Sequence, residues 1–320
     1  MKLALIGYGN VGRALVRLIR RKRRDYGFAV TGIHTLRHGT AIDPAGLPPE
    51  AAFGPRAASI DEFLDCARAD IAVELTTLNP IDGQPAVAHI RAAFARRMSV
   101  ATANKGPIAH AFADLRDEAE SAGVGFRFES AVMDGAPVFN LWRTCLPAVR
   151  VAGFTGALNS TSKVVIETME RGGSFEDGLA AARALGITEA NGAFDVEGWD
   201  SAAKTAALAN VLMDARTTPQ QVSTRGITRL TPGRVQEMVR QGRTVRLISR
   251  ARRNGGSVSL RVRAEVLDRR DIFASVPGTS NLILFHTDLM GTFGTVSIDP
   301  GVEQTAYGVF SDLLNLAGWV

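Results

Sequence analysis

The chain has 320 residues, 46% of them apolar and 22% charged, a balance that excludes intrinsic disorder and predicts two globular domains of about 150 residues each. No apolar run approaches the ~20 residues needed to cross a bilayer, and Gly7, Gly9 and Gly12 break the short apolar N-terminus, so a signal peptide is not expected. The net charge is +5, with its most visible cluster at Arg20-Arg21-Lys22-Arg23-Arg24. That run closes a predicted helix, where cations offset the negative end of the dipole, and no aromatics interleave with it, so a nucleic-acid partner is not expected.

Residues 2 to 7 read as a buried strand running into Gly7-Tyr8-Gly9-Asn10-Val11-Gly12, and Val11, Ala14, Leu15, Leu18 and Ile19 give the following helix one apolar face. A second strand is predicted at Phe28 to Thr35, followed by a Pro- and Gly-rich loop from Asp43 to Pro55. Ser59 and Glu62 predict a capping box for a helix ending near Arg68. Further strands are expected at Ile71 to Leu75, Ser99 to Thr102 and Gly125 to Phe128, with helices at Pro85 to Arg97 and Pro107 to Ala122 between them. This alternation predicts a parallel sheet wound with helices, a Rossmann-type domain over residues 1–132.

Beyond Asp134 the rhythm changes. A strand is predicted at Val149 to Leu158, helices at Ser160 to Arg171, Phe175 to Leu185 and Ser201 to Met213, and two strands from Thr244 to Leu267 around the turn signal Asn254-Gly255-Gly256. Short strands at Leu282 to His286 and Thr295 to Ile298 complete an α+β domain over residues 133–301. A last helix, from about Val302 to Leu316, is free to pack back and complete the first domain.

The GxGxxG element follows a strand and opens a helix, the context in which it binds a dinucleotide: a tight turn at Gly7, close approach of pyrophosphate at Gly9 and helix–strand contact at Gly12, with phosphate at the helix N-terminus beside Asn10 and Val11. An acidic residue at the end of the second strand would hold the ribose of NAD, but the chain reads His34-Thr35-Leu36-Arg37-His38. With no carboxylate to repel a 2′-phosphate and Arg37 to pair with it, NADP(H) is expected over NAD(H). Thr76 and Thr77, and Thr102 with Lys105 in Ala101-Thr102-Ala103-Asn104-Lys105, fall at the carboxyl edge of the sheet, where open α/β sheets bind ligands.

In the second half, Asp200 and Lys204 stand one helical turn apart and share a face. Lys204 is a candidate proton donor or acceptor, with Glu189 and Asp195 as candidates for holding a cationic ammonium. The alternative is a helix start whose acids merely favour the dipole. The histidines show no paired metal-ligand spacing, and Cys66 and Cys145 lie far apart without CxxC spacing, which predicts neither a disulfide framework nor a zinc site and fits a cytoplasmic location.

These motifs together resemble the homoserine dehydrogenase family: the fingerprint, Ala103-Asn104-Lys105, the Glu-x-x-Val at Glu129 to Val132, the Leu-Asn-x-Thr at 158 to 161, and Gly-x-Thr-Glu running to Asp-x-x-Gly-x-Asp-x-x-x-Lys. The resemblance implies a homodimer built through the catalytic domain and reversible NAD(P)-dependent interconversion of L-homoserine and L-aspartate 4-semialdehyde, a step of threonine and methionine biosynthesis. It makes Lys105 and Lys204 the active-site lysines, with Lys204 the acid/base and Asp200 its support. Glu189 and Asp195 would bind substrate beside the loop of Asn159 and Ser160, and Gly301 would join the cofactor contacts. It further implies a monovalent-cation site at Glu129, Val132, Asp134 and Ala136, built largely from backbone carbonyls. Longer members append an ACT domain, and the short form is expected here. Departures fall in the substrate loop: Ser160 where glycine is usual, Lys163 for a common asparagine, and Ala190-Asn191-Gly192 where Pro-Asp-Pro is common. They leave open a different small semialdehyde or hydroxy acid as substrate, and a non-catalytic dinucleotide-binding protein is the remaining alternative.

Overall fold

The computed structural model describes residues 1–188 and 192–319, in two units: Met1–Asn140 with Gly301–Val320, and Leu141–Pro300. The first unit runs β1 (Lys2–Ile6), α1 (Asn10–Arg21), β2 (Ala29–Thr35), β3 (Gly39–Ile42), α2 (Ile60–Ala67), β4 (Ile71–Glu74), α3 (Ala86–Ala95), β5 (Ser99–Thr102), α4 (Lys105–Ala122) and β6 (Phe126–Arg127). Its six-stranded sheet has the order β3-β2-β1-β4-β5-β6 and is parallel except for the β2–β3 hairpin. Leu3 to Ile6 are all buried because β1 is flanked on both sides, which is why this strand reads as an unbroken apolar run. The strand order reverses about β1 and β4, and the crevice at such a reversal is where dinucleotides bind.

The hairpin strand β3 was not expected. Three residues, Leu36, Arg37 and His38, connect Thr35 to its partner Gly39, a turn with none of the two-residue signals that mark hairpins in sequence. At α2 the expected box is half formed: Ser59 Oγ accepts the Glu62 N–H at 3.1 Å, but Glu62 Oε2 accepts the N–H of Ala58 at 2.6 Å instead of Ser59's. Helix α4 begins two residues earlier than predicted, because Asn104 Oδ1 caps it by accepting the Gly106 N–H at 3.0 Å.

The C-terminal helix (Val302–Leu316) completes this unit. Ala306, Val309, Phe310 and Leu313 enter the same core cluster as Leu15 and Ile19 of α1, and Phe310 meets the Phe28 ring edge-on at 6.0 Å. Apolar burial holds it there, since the exposed Arg17–Glu303 pair at 2.8 Å contributes under about 1 kcal/mol. Residues 133–140, placed in the second domain by the sequence reading, belong to the first unit. The Glu129 carboxylate ties them in by accepting the N–H groups of Val138 (2.5 Å), Phe139 (3.0 Å) and Asn140 (2.5 Å), while Asp312 of the C-terminal helix accepts the Glu129 N–H at 2.7 Å.

The second unit contains β7 (Val151–Ala157), α5 (Ser160–Glu170), α6 (Phe175–Ala184), α7 (Ala193–Val196), α8 (Trp199–Met213), β8 (Ser223–Arg225), α9 (Pro232–Arg240), β9 (Arg243–Asn254), β10 (Ser257–Asp268), β11 (Asn281–Thr287) and β12 (Thr292–Ser297). Its sheet has the order β12-β11-β7-β9-β10-β8, antiparallel but for the short β8–β10 pair. The β9–β10 hairpin turns at Gly255-Gly256, with Gly255 at φ +60°, as its sequence predicts. Helix α9 was missed although Thr231-Pro232 is a start signal: Thr231 Oγ1 caps it and Pro232 takes the first turn. Helix α8 is buried over most of its surface against β9 and β10, which accounts for its alanine-rich sequence. Among the described residues, no helix is long and apolar enough to cross a membrane.

Candidate active site

In the first unit the chain leaves β1 at Gly7 with φ +99°, a conformation stabilised by the Gly7 N–H donating to the His34 carbonyl at 2.9 Å. A Cβ at Gly7 would lie 2.6 Å from the Leu75 carbonyl oxygen, so only glycine fits. Gly9 is the N-cap of α1, and a Cβ built on it meets nothing within 4 Å. No side chain caps α1 and no acid stands in its first turn, so its N-terminal N–H groups, with Asn10 exposed and Val11 half-buried, suit an anionic ligand. This bare, uncapped turn fits the pyrophosphate of a dinucleotide.

At the carboxyl ends of β4 and β5 a carboxylate missed by the sequence reading organises the edge. Glu74 is fully buried and accepts the Thr76 N–H at 3.0 Å, the Thr76 hydroxyl, and the Thr102 hydroxyl at 3.0 Å; His89 Nδ1 lies 3.7 Å away. Thr102 Oγ1 in turn accepts the Asn104 N–H at 3.0 Å, and Asn104 Nδ2 donates to the Thr76 carbonyl at 3.1 Å. Thr102, expected to contact the cofactor, is fully buried, and its hydroxyl is spent on Glu74 and Asn104. It shapes the loop instead. Thr77 is exposed, Lys105 is the half-buried first residue of α4, and Arg37 is exposed in the β2–β3 turn. Gly301, the N-cap of the C-terminal helix, is exposed and its Cα faces open space.

The candidate cation ligands divide. Glu129 is committed to the three backbone N–H groups above, Val132 and Ala136 are buried, and Asp134, at φ +56°, accepts the Thr305 hydroxyl at 3.3 Å. Among the described residues no group of three or more His, Cys, Asp or Glu could hold a metal ion.

In the second unit Asn159 joins the residues singled out from sequence. It ends the loop after β7 and caps α5, its Oδ1 accepting the Ser162 N–H at 2.7 Å. Its Nδ2 donates to Asp195 Oδ1 at 2.7 Å and to Asp200 Oδ2 at 3.0 Å. Asn159 is 5% exposed, and these bonds occupy its amide, so it aligns the two carboxylates and caps a helix, where the sequence had suggested a substrate contact. Thr188, missed as a site residue although it lies within the quoted Gly-x-Thr-Glu, donates to Asp195 Oδ2 at 2.9 Å. Glu189 lies outside the described residues.

Asp200 falls in the first turn of α8, where the helix dipole favours a carboxylate. One turn on, Lys204 Nζ lies 3.2 Å from Asp200 Oδ2 and donates to the Leu158 carbonyl at 2.6 Å. Burial, and then the like charge of Asp200, push the Asp195 carboxyl above its usual range, against the opposing bonds from Asn159 and Thr188 and the charge of Lys204. The cluster therefore presents an ammonium fixed between a carbonyl and a carboxylate, beside a second carboxylate whose charge is only partly compensated. Ser160 Oγ donates to the Thr279 carbonyl at 2.7 Å.

A dinucleotide cradle at a strand-order reversal and an immobilised lysine–carboxylate cluster are the equipment of a nicotinamide-dependent oxidoreductase. Residues 7–129 match the NAD-binding domain of homoserine dehydrogenase and residues 137–314 match the family's homoserine dehydrogenase domain. The chain belongs to the homoserine dehydrogenase family. It is 36% identical to the NAD(+)-dependent homoserine dehydrogenase of Pseudomonas canavaninivorans, the alignment covering 98% of this chain and 96% of that protein. It is 33% identical to the homoserine dehydrogenase of Methanocaldococcus jannaschii, over 99% of this chain and 98% of the relative. A putative homoserine dehydrogenase from Archaeoglobus fulgidus has a similar structure, with a TM-score of 0.87 at 28% identity and 99% of each chain covered.

Proposed function

We propose that the chain interconverts L-homoserine and L-aspartate 4-semialdehyde, with Lys204 moving the proton. The observation that carries this reading is the fixing of Lys204 Nζ between the Leu158 carbonyl and Asp200, with Asn159 tying Asp200 to Asp195. The Gly7–Gly12 turn would hold a nicotinamide dinucleotide, which when bound would supply or accept the hydride at the carbon that carries the substrate oxygen. Lys204 Nζ donates a proton to that oxygen as the aldehyde is reduced and takes it back in the oxidative direction, with Asp200 holding the ammonium in place. Asp195, together with Glu189, is the acceptor for the substrate ammonium, whose arrival would relieve the repulsion between Asp195 and Asp200. Lys105, opening α4 at the sheet edge, is assigned to the same chemistry.

The choice of dinucleotide turns on the β2–β3 hairpin. Exposed Arg37 and the lack of a carboxylate among residues 34–38 favour acceptance of a 2′-phosphate, whereas the NAD(+)-dependent name of the Pseudomonas relative favours NAD. Steady-state kinetics with homoserine and aspartate semialdehyde against both dinucleotides tests the substrate and this choice together. Turnover with another small semialdehyde and none with homoserine would keep the chemistry and overturn the substrate. Homodimerisation and a monovalent-cation requirement are further parts of the proposal, checked by light scattering and by activity in potassium, sodium and tetramethylammonium salts.

A further inference from the structure

Lys163 is a buried charge that the chemistry above does not use. It lies on α5 one turn after Asn159, is 2% exposed, and donates from Nζ to the carbonyl of Ser280, a residue that is itself 1% exposed. Two more bonds from α5 reach the same turn: Ser160 Oγ to the Thr279 carbonyl at 2.7 Å, and the Gly278 N–H to the Glu167 carboxylate. From its other side the turn is held by Asp299, whose Oδ1 accepts from the Thr279 and Ser280 hydroxyls at 3.3 Å each and whose N–H donates to Ser280 Oγ at 3.0 Å. The turn 278–280 is thus pinned against the first turns of the helix that Asn159 caps.

A neutral donor would make the same bond to a carbonyl without the cost of burying an ammonium. The charge therefore calls for a role besides packing. Four charged groups face it: Glu167 of α5 and Asp299 favour the ammonium, while Arg246 of β9 and Lys204 of α8 disfavour it. Arg246 is already engaged by Glu167 at 3.5 Å and Glu170 at 3.2 Å, so Glu167 divides its charge between two cations.

We propose that Lys163, with Ser160, is a positioning residue that locks the Gly278–Ser280 turn onto α5 beside Asn159, and that the locked turn forms the wall setting how tightly the small amino-acid substrate is held. This rests on the proposed homoserine reaction. Burial, the largest influence, lowers the Lys163 ammonium to about 8, so the clamped lysine gives up its proton more readily than an exposed one and the clamp strengthens as pH rises from about 8 toward 10.5.

The test compares wild type, Lys163→Met and Lys163→Arg by kinetics across pH and by hydrogen exchange of the amides at 278–281. Loss of a charged hydrogen bond predicts a KM for homoserine raised about tenfold in Lys163→Met, with kcat and the dinucleotide KM within about twofold of wild type. Relative to Lys163→Met, the wild-type homoserine KM falls as pH rises above about 8. In Lys163→Arg, whose guanidinium stays charged, that fall disappears. An unchanged KM in Lys163→Met, or a fall that survives in Lys163→Arg, overturns the proposal. Hydrogen exchange separates this from failure of the substrate reading: faster exchange at 278–281 in Lys163→Met establishes the clamp even in a protein that does not turn over homoserine. Unchanged exchange removes it.

Discussion

Each unit gathers carboxylates where a strand gives way to a loop or helix, and the two units use them differently. Around Glu74 the described donors are hydroxyls and a backbone N–H, and through Thr76, Thr102 and Asn104 every bond returns to the loops at the edge of the sheet. Around Asn159 two carboxylates share one amide and face one ammonium, and Asp195 is pushed upward by its neighbour. The first arrangement is self-satisfied and fixes shape. The second keeps like charges together and so stores an electrostatic cost that a cationic ligand can relieve, which is where perturbed groups acquire function.

That contrast can be broken from either side. Lys204→Met should lower kcat by about 10²–10⁴ while leaving dinucleotide binding intact, read by quenching of protein fluorescence; a kcat within a few-fold of wild type would mean that the cluster is structural. Glu74→Gln should do the reverse. With several donors competing for one remaining acceptor, it should lose about 1–3 kcal/mol of stability in urea unfolding and weaken dinucleotide binding, with little change in the proton-transfer step.

Asp195→Asn should separate stability from activity. Because the folded-state carboxyl is raised above its unfolded value, the native state binds the proton more tightly, and the ionised group costs stability at neutral pH. Replacing it with a neutral amide is expected to stabilise the fold at neutral pH while raising the homoserine KM. A loss of both stability and affinity would show that the carboxylate is structural, like Glu74.

The effect confined to one pH window concerns Lys163. Its ammonium is lowered from 10.5 to about 8, so between those values the unfolded chain binds more protons than the folded one, and stability from this group rises with pH across that window. The difference in unfolding free energy between wild type and Lys163→Met should therefore shift in favour of wild type from about pH 8 to 10.5 and stay flat below it.

What could be read from sequence follows from how local each signal is. The fingerprint, the buried β1 and the Asp200–Lys204 pair depend on spacings of a few residues, and all appear in the structure as expected. Glu74 was invisible because it closes the strand Ile71-Ala72-Val73-Glu74, where its partner Thr102 comes from a neighbouring strand that sequence alone does not bring beside it. The same distance hid the Lys163–Ser280 bond, which joins residues 117 apart, and the commitment of Asn159 to two carboxylates. Thr102 was misjudged for a different reason: its position at a strand's carboxyl edge is right, but its hydroxyl points into the sheet and is consumed there. The boundary between the units shifted because one buried carboxylate, Glu129, carries residues 138–140 with it.

The most direct test is homoserine-dependent formation of reduced nicotinamide, measured in parallel for wild type and Lys204→Met at equal dinucleotide saturation. The account predicts turnover in wild type and its near-complete loss in a folded, dinucleotide-binding variant. Equal rates in the two proteins would contradict it.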